Sequence, residues 1–178
     1  NSEIVHGIPR KDRVLKEGDI LKVDIGMKFG GMITDMARTF AVGKVSAGAQ
    51  NILDVTRECL DAGIEKIRAG AKLGEYSGTV QDYVESQGFS IVRDLVGHGV
   101  GKELHEDPLI PNYRSSGKEI ILREGMTLAL EPMVNAGTHK ILLEQDSWTY
   151  STADGKLSAH FEDTILVTRD GAEILTRK

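Results

Sequence analysis

Leu21-Lys22-Val23-Asp24-Ile25-Gly26-Met27-Lys28-Phe29-Gly30-Gly31-Met32-Ile33-Thr34-Asp35-Met36-Ala37-Arg38-Thr39-Phe40 reads as two extended arms joined by a turn. Leu21, Val23 and Ile25 alternate with Lys22, Asp24 and Gly26, the period of a half-buried strand. Residues 20–27 and 32–42 flank Lys28-Phe29-Gly30-Gly31, a suitable hairpin connection because glycine accepts positive φ. Each arm carries one aspartate. If the arms pair about Phe29-Gly30, Asp24 and Asp35 stand opposite each other and repel unless a proton or a cation intervenes. The competing reading is a solvated face or a salt bridge, with Arg38 as the obvious partner.

Working outward, two more acids sit in apolar extended runs. Glu131 ends Met126-Thr127-Leu128-Ala129-Leu130, and Glu162 stands in Ser158-Ala159-His160-Phe161-Glu162-Asp163-Thr164-Ile165-Leu166-Val167. Carboxylates are costly to bury unless paired or metal-bound. His98 lies in Gly97-His98-Gly99-Val100-Gly101, where no flanking side chain crowds the imidazole. That stretch is not a Walker loop, because Val96 and Glu103 occupy positions that need Gly and Ser or Thr. His105-Glu106-Asp107-Pro108 opens like a zinc-peptidase helix, but Leu109 stands where a second histidine is required, and Pro108 argues for a turn. His105 is then a candidate for substrate contact. His6, in His6-Gly7-Ile8-Pro9, falls at a strand-to-turn transition, and His160 shares a strand face with Glu162 as a candidate hydrogen-bonding support.

The 178 residues suit one domain, with 40% hydrophobic and 28% charged residues as in soluble globular proteins. A net charge of -5 argues against nucleic acid or an anionic membrane as partner. No apolar run reaches membrane-spanning length and no signal peptide is visible. Cys59, the single cysteine, excludes an internal disulfide, fits a reducing compartment and falls in a helical pattern as a buried thiol.

The pattern predicts an α+β domain. Helices are expected from Ser46, an N-cap, to about Arg68, and from about Glu75 to Ser86. Strands are expected at 91–96, 126–134, 139–144, 147–151, 158–168 and 172–176, with a loop over 106–118.

Val5-His6-Gly7-Ile8-Pro9, Val23-Asp24-Ile25-Gly26, Thr34-Asp35-Met36-Ala37-Arg38-Thr39-Phe40, Gly97-His98-Gly99-Val100-Gly101, His105-Glu106-Asp107-Pro108, Ile110-Pro111-Asn112-Tyr113, Leu130-Glu131-Pro132-Met133 and His160-Phe161-Glu162 together resemble the type I methionine aminopeptidases. The likeness runs in order along essentially the whole chain. It implies the pita-bread fold, a largely antiparallel curved sheet with helices on its outer face, as a single metallopeptidase domain over residues 1–178. It also implies removal of the N-terminal methionine from nascent polypeptides. By the same likeness, Asp24 chelates one divalent ion, Asp35 and Glu162 bridge two, and His98 and Glu131 complete the second. His6 and His105 match two substrate-facing histidines, and Trp148 an aromatic position near the methionine pocket.

The donor chemistry agrees with this: carboxylates with one imidazole and no thiolate suit Mn, Fe, Co or Zn. Two such ions activate water and polarise a scissile carbonyl. Glu131 is the expected proton shuttle, His105 the donor to a developing oxyanion, and His6 the holder of the peptide beyond the cleaved bond. The expected setting is a cytoplasmic monomer meeting its substrates at the ribosome.

Two departures accompany the likeness. Family members carry further helices and a strand before the His-Gly-Ile-Pro motif, so the chain reads as N-terminally short. Asp163 follows Glu162 where many members carry histidine and the proline peptidases of this fold carry acids. The rival readings are a proline-specific aminopeptidase or dipeptidase sharing all five ligands, and an inactive binding module or fragment of the same fold.

Overall fold

The computed structural model describes residues 1–117 and 119–177. Its largest antiparallel ribbon is the hairpin of β1 (Ile20–Phe29) and β2 (Met32–Ala41). Phe29 pairs with Met32, so the turn is Gly30-Gly31, both at positive φ (60° and 85°). This is one residue later than expected from the sequence. A two-residue turn of this kind needs positive φ at both central positions, which Gly-Gly meets and Phe29 would not. The shift has a consequence for the acids: Asp24 faces Ala37 and Asp35 faces Gly26. The two carboxylates are diagonal neighbours on one face rather than opposite partners.

Two helices follow. α1 (Ala47–Ile64) starts where Ser46 Oγ accepts from the Ala49 N–H at 3.1 Å. It ends four residues before Arg68, because Lys66 and Ile67 donate to carbonyls three residues back, and Ala69 and Gly70 donate to Thr168 and Leu122. α2 (Leu73–Ser86) begins two residues earlier than expected and stops before Gly88, at φ 79°. The helices meet where Gly63 lies against Tyr76 and Val80; a methyl group there would be 2.7 Å from the Tyr76 ring. Their apolar stripes, among them Ile52, Leu60, Tyr76 and Val80, are buried with Leu128, Leu130 and Ile165 of the sheets in one core.

The remaining strands are short. β3 (Ser90–Ile91) is only the beginning of the strand expected over 91–96. β4 (Gly97–Gly99) holds the glycine-flanked histidine. β5 (Glu106–Ile110) occupies residues expected to be loop; Pro108 is tolerated because β5 lies at a sheet edge. The expected strand 126–134 is split into β6 (Thr127–Leu130) and β7 (Met133–Asn135). β8 (Ile141–Leu143) and β9 (Tyr150–Thr152) follow. The expected strand 158–168 is likewise split into β10 (Ser158–His160) and β11 (Asp163–Val167), and β12 (Ala172–Ile174) is last. Glu3–Val5 adds a short strand beside β9.

β11 pairs with β6, and β10 with β7, all antiparallel. β6 and β11 are neighbours in a five-stranded sheet, while β7 and β10 are neighbours in a three-stranded one. Two adjacent strands thus change sheets together, at Glu131-Pro132 and at Phe161-Glu162. The architecture is the pita-bread arrangement: antiparallel sheets backed by two helices.

Candidate metal centre

Both strand changes carry a candidate ligand. Where a strand leaves one ladder for another, its side chain no longer alternates with neighbours on a fixed face and can be aimed into the cleft between the sheets. Glu162 sits in such a gap, its N–H donating to Ala37 O at 2.9 Å across to the hairpin. Glu131 occupies the matching gap, its carbonyl accepting from Asn112 Nδ2 at 3.2 Å. Asn112 in turn accepts from the Tyr76 hydroxyl at 2.7 Å, tying the Glu131 backbone to α2.

The glycines around His98 do more than leave room for the ring. A methyl group on Gly97 would lie 2.4 Å from Ala129 O, and one on Gly99 would lie 2.3 Å from Asp107 O. β4 is therefore pressed between β6 and β5, and only glycine fits. His98 Nδ1 is 2.9 Å from Gly99 O. That contact places the ring proton on Nδ1 and leaves the Nε2 lone pair facing Glu131 Oε1 at 3.5 Å and Asp35 Oδ2 at 4.0 Å.

Asp35, His98 and Glu162 are buried, and one ligand atom from each lies within 4.8 Å of the others. Glu131 joins them through His98. Asp24 lies at the exposed lip of the same face, diagonal to Asp35. The electrostatics of so many acids are unfavourable. Burial first, then the charges of Asp24 and Asp35, holds Glu131 well above the carboxylate range. Burial and the same neighbours, Glu131 foremost, do so for Glu162. Burial and Asp35 raise Asp24 to about 6. Burial lowers His98, favouring the neutral ring that a metal needs, and takes His160 down to about 3. Oxygen-rich donors that resist ionisation without a cation, facing an imidazole lone pair, fit a divalent metal.

Several supports were not legible beforehand. Thr164 Oγ1 accepts from the Asp35 N–H at 2.8 Å and donates to Asp35 O at 2.7 Å, fixing that residue from both sides. Arg38 does not pair with the hairpin aspartates. It reaches Asp163 at 2.5 Å and also donates to the carbonyls of Ala37 and Glu162. Asp163 accepts further from Thr176 and Arg177, so this residue, which departs from the family pattern, is turned away from the cleft into an ion-pair cluster. Glu106 Oε1 accepts from the Lys102 and Glu103 N–H groups at 2.7 and 2.9 Å, closing the loop that carries His105.

His105 stacks edge-on against His98 with ring centroids 4.4 Å apart. A cleft of about 460 Å³ opens beside them, lined by Val96, His98, His105, Glu106, Asp107 and Leu109. His6, at φ 58°, lies 5.7 Å from the exposed ring of Trp148 and 6.0 Å from Tyr150. Burial and the nearby His105 lower its pKa. His6, His105 and Trp148 are thus solvent-facing, whereas Asp35, His98 and Glu162 are buried and Glu131 is half-buried.

Residues 1–169 match metallopeptidase family M24. The chain belongs to that family. An M24 member uses divalent metal, in keeping with the donor set above. Methionine aminopeptidase from Clostridium acetobutylicum is 49% identical over 176 residues, 99% of this chain and 70% of its relative. Methionine aminopeptidase 1 of Bacillus subtilis is 50% identical over 177 residues, 99% and 71% of the two chains. The crystal structure of a Thermotoga maritima methionine aminopeptidase superposes with a TM-score of 0.96 at 50% identity, covering 100% of this chain and 72% of that one. A Pyrococcus furiosus prolidase shares the fold at a TM-score of 0.73 and 26% identity, over 94% of this chain and 44% of that one. The M24 chain described here spans about 70% of the length of its curated methionine aminopeptidase relatives.

Proposed function

We infer that the chain is a metalloaminopeptidase that hydrolyses the N-terminal methionine from polypeptides at a site for two divalent ions. The observation that carries this reading is the convergence of Asp35, His98 and Glu162 within 4.8 Å, with Glu131 beside His98, in a chain half identical to methionine aminopeptidases. Asp24 is assigned to one ion, Asp35 and Glu162 to both, and His98 and Glu131 to the other. Mn, Fe, Co or Zn fits these donors. Such ions, when bound, supply Lewis acidity at the scissile carbonyl and lower the pKa of the attacking water.

The protein groups do the rest. Glu131, beside His98 in the cleft, takes a proton from water and passes it to the leaving amine. His105 lies at the mouth of the cleft, placed to donate to oxygen charge that develops on the carbonyl. His6 holds the peptide beyond the cleaved bond, and Trp148 walls the methionine side chain. The whole of residues 1–178 acts as one catalytic domain in this reading. Nascent chains at the ribosome are the proposed substrates and the cytoplasm the proposed setting, with a monomer as the working unit. No described helix is long and apolar enough to cross a membrane.

The discriminating experiment offers the Mn- or Co-loaded protein Met-Gly-Ser and Ala-Pro-Ser peptides in parallel. Release of free methionine, with the proline peptide intact, is expected. Cleavage of the proline peptide alone would move the chain to the proline-specific branch of M24.

A further inference from the structure

We propose that His160 is a positioning residue for Glu131, its Nε2–H donating to Glu131 Oε2 so that Oε1 is the oxygen offered to a cation. The proposal rests on the dinuclear reading above and deepens it. His160 is buried, and neither ring nitrogen finds a hydrogen-bond partner among the described residues. A neutral imidazole always carries one N–H, and leaving such a donor buried and unpaired is costly. Glu131 Oε2 lies 3.8 Å from Nε2, a carboxylate acceptor within a small movement of hydrogen-bond distance.

The backbone that carries the ring is held on both sides. Thr39 Oγ1 donates to His160 O at 2.8 Å and accepts from the His160 N–H at 2.9 Å, while β10 pairs His160 with Met133. Glu131 is therefore bracketed by two imidazoles of opposite character. His98 spends its proton on Gly99 and presents a lone pair toward Oε1 at 3.5 Å, a pair of donors that would suit a shared cation. His160 presents an N–H to the other oxygen. A carboxylate ligated at Oε1 carries full charge, and the 3.8 Å gap at Oε2 closes to a charge-assisted hydrogen bond. The arrangement makes Glu131 a one-oxygen ligand with a fixed orientation.

Two variants and one observation on the unmodified protein test this. His160→Phe keeps the ring shape without a donor; His160→Gln supplies an amide N–H of similar reach. In calorimetric titrations with Mn(II), His160→Phe should weaken one of the two ions about 10- to 100-fold, and His160→Gln should stay within about threefold of the parent. Long-range ¹H–¹⁵N spectra of the Zn-loaded parent should show His160 as the Nε2–H tautomer, a result that stands even if His160→Phe fails to fold. Parental affinity for both ions in folded His160→Phe, or an Nδ1–H tautomer in the loaded parent, overturns the proposal and leaves the dinuclear reading intact. A parent that binds no Mn(II) overturns both.

Discussion

The hairpin and the paired strand changes contribute to the same centre in opposite ways. The β1–β2 ribbon is a ten-residue ladder in unbroken register, exposed along β1 from Asp24 to the turn and largely covered along β2. The β6–β7 and β10–β11 segments are buried and interrupted, and their acids stand at the interruptions. A two-stranded ribbon is marginally stable alone in water. Here its middle is fastened by Thr164 on Asp35 and by Ala37 against Glu162, while Asp24 stands opposite Ala37 on the exposed strand. The centre is thus a rigid floor of Glu131, Glu162 and His98, with a ribbon laid over it. In the proposed reading a cation would join the two.

The sharpest way to break that contrast is to remove a carboxylate assigned to both ions. Asp35→Ala or Glu162→Ala should eliminate both ions together and lower turnover by about three decades, several kcal/mol of lost transition-state stabilisation. Metal analysis decides it: two ions still bound to either variant would mean that the ribbon and the floor bind independently. His105→Ala comes next. Loss of a donor to the developing oxyanion costs about 2.7–4 kcal/mol, so kcat should fall roughly a hundredfold or more with metal content and KM nearly unchanged. A loop histidine that only braces the turn would instead lower the melting temperature and spare turnover per folded molecule.

Metal removal probes the joint itself. At free ion about 100 times Kd, binding adds about 2.7 kcal/mol, so chelation should lower Tm by roughly 5–10 °C, and Mn or Co should restore it. The pH dependence has a definite sign. Asp24 titrates higher in the fold, at about 6, than in the unfolded chain, so ionising it costs the metal-free fold stability as pH rises from about 4 through 6. A cation displaces that proton, and ion affinity should therefore rise with pH across the same window. Calorimetry near pH 5 in buffers of different ionisation enthalpy should show proton release on binding; none would contradict protonation of Asp24 below about 6.

The fastening of the ribbon is open to a milder test. Thr164→Val removes both hydrogen bonds to the Asp35 backbone and should cost about 1–3 kcal/mol of stability in chemical denaturation, with weaker metal binding alongside. Unchanged ion affinity would show that Asp35 needs no help from the floor. The smallest effect belongs to the far end of the ribbon. Phe29 is 84% exposed, and Phe29→Ser should stay within about 0.5 kcal/mol of the parent and leave ion binding alone.

The contrast also explains what could be read from residues alone. The hairpin was legible because period-two alternation and Gly30-Gly31 are local signals, although its centre lay one residue later than the acids suggested. Glu131 and Glu162 were legible as acids in apolar runs. The strand changes beside them were not, because apolar residues continue on both sides and periodicity cannot tell one long strand from two in different sheets. β5 was hidden by Pro108, whose place on an edge is a tertiary fact. Thr164, Asn112 and Tyr76 are ordinary side chains until the fold sets them against Asp35 and Glu131. Gly97 and Gly99 suggested freedom around His98, whereas their actual demand is closeness to Ala129 and Asp107.

Trp148 is the single tryptophan of the chain, exposed and 5.7 Å from the ring of His6. The mouth of the cleft therefore carries its own lamp. A hydrated indole emits at long wavelength; on the proposed placement, a methionine side chain settling against it would displace water and move the emission to the blue. An imidazolium beside it quenches, so intensity follows the charge on His6, which burial and His105 push below the ordinary histidine range. If the peptide binds there, one unlabelled optical signal would report its arrival, the departure of the product and the protonation of His6, on the timescale of a stopped-flow trace.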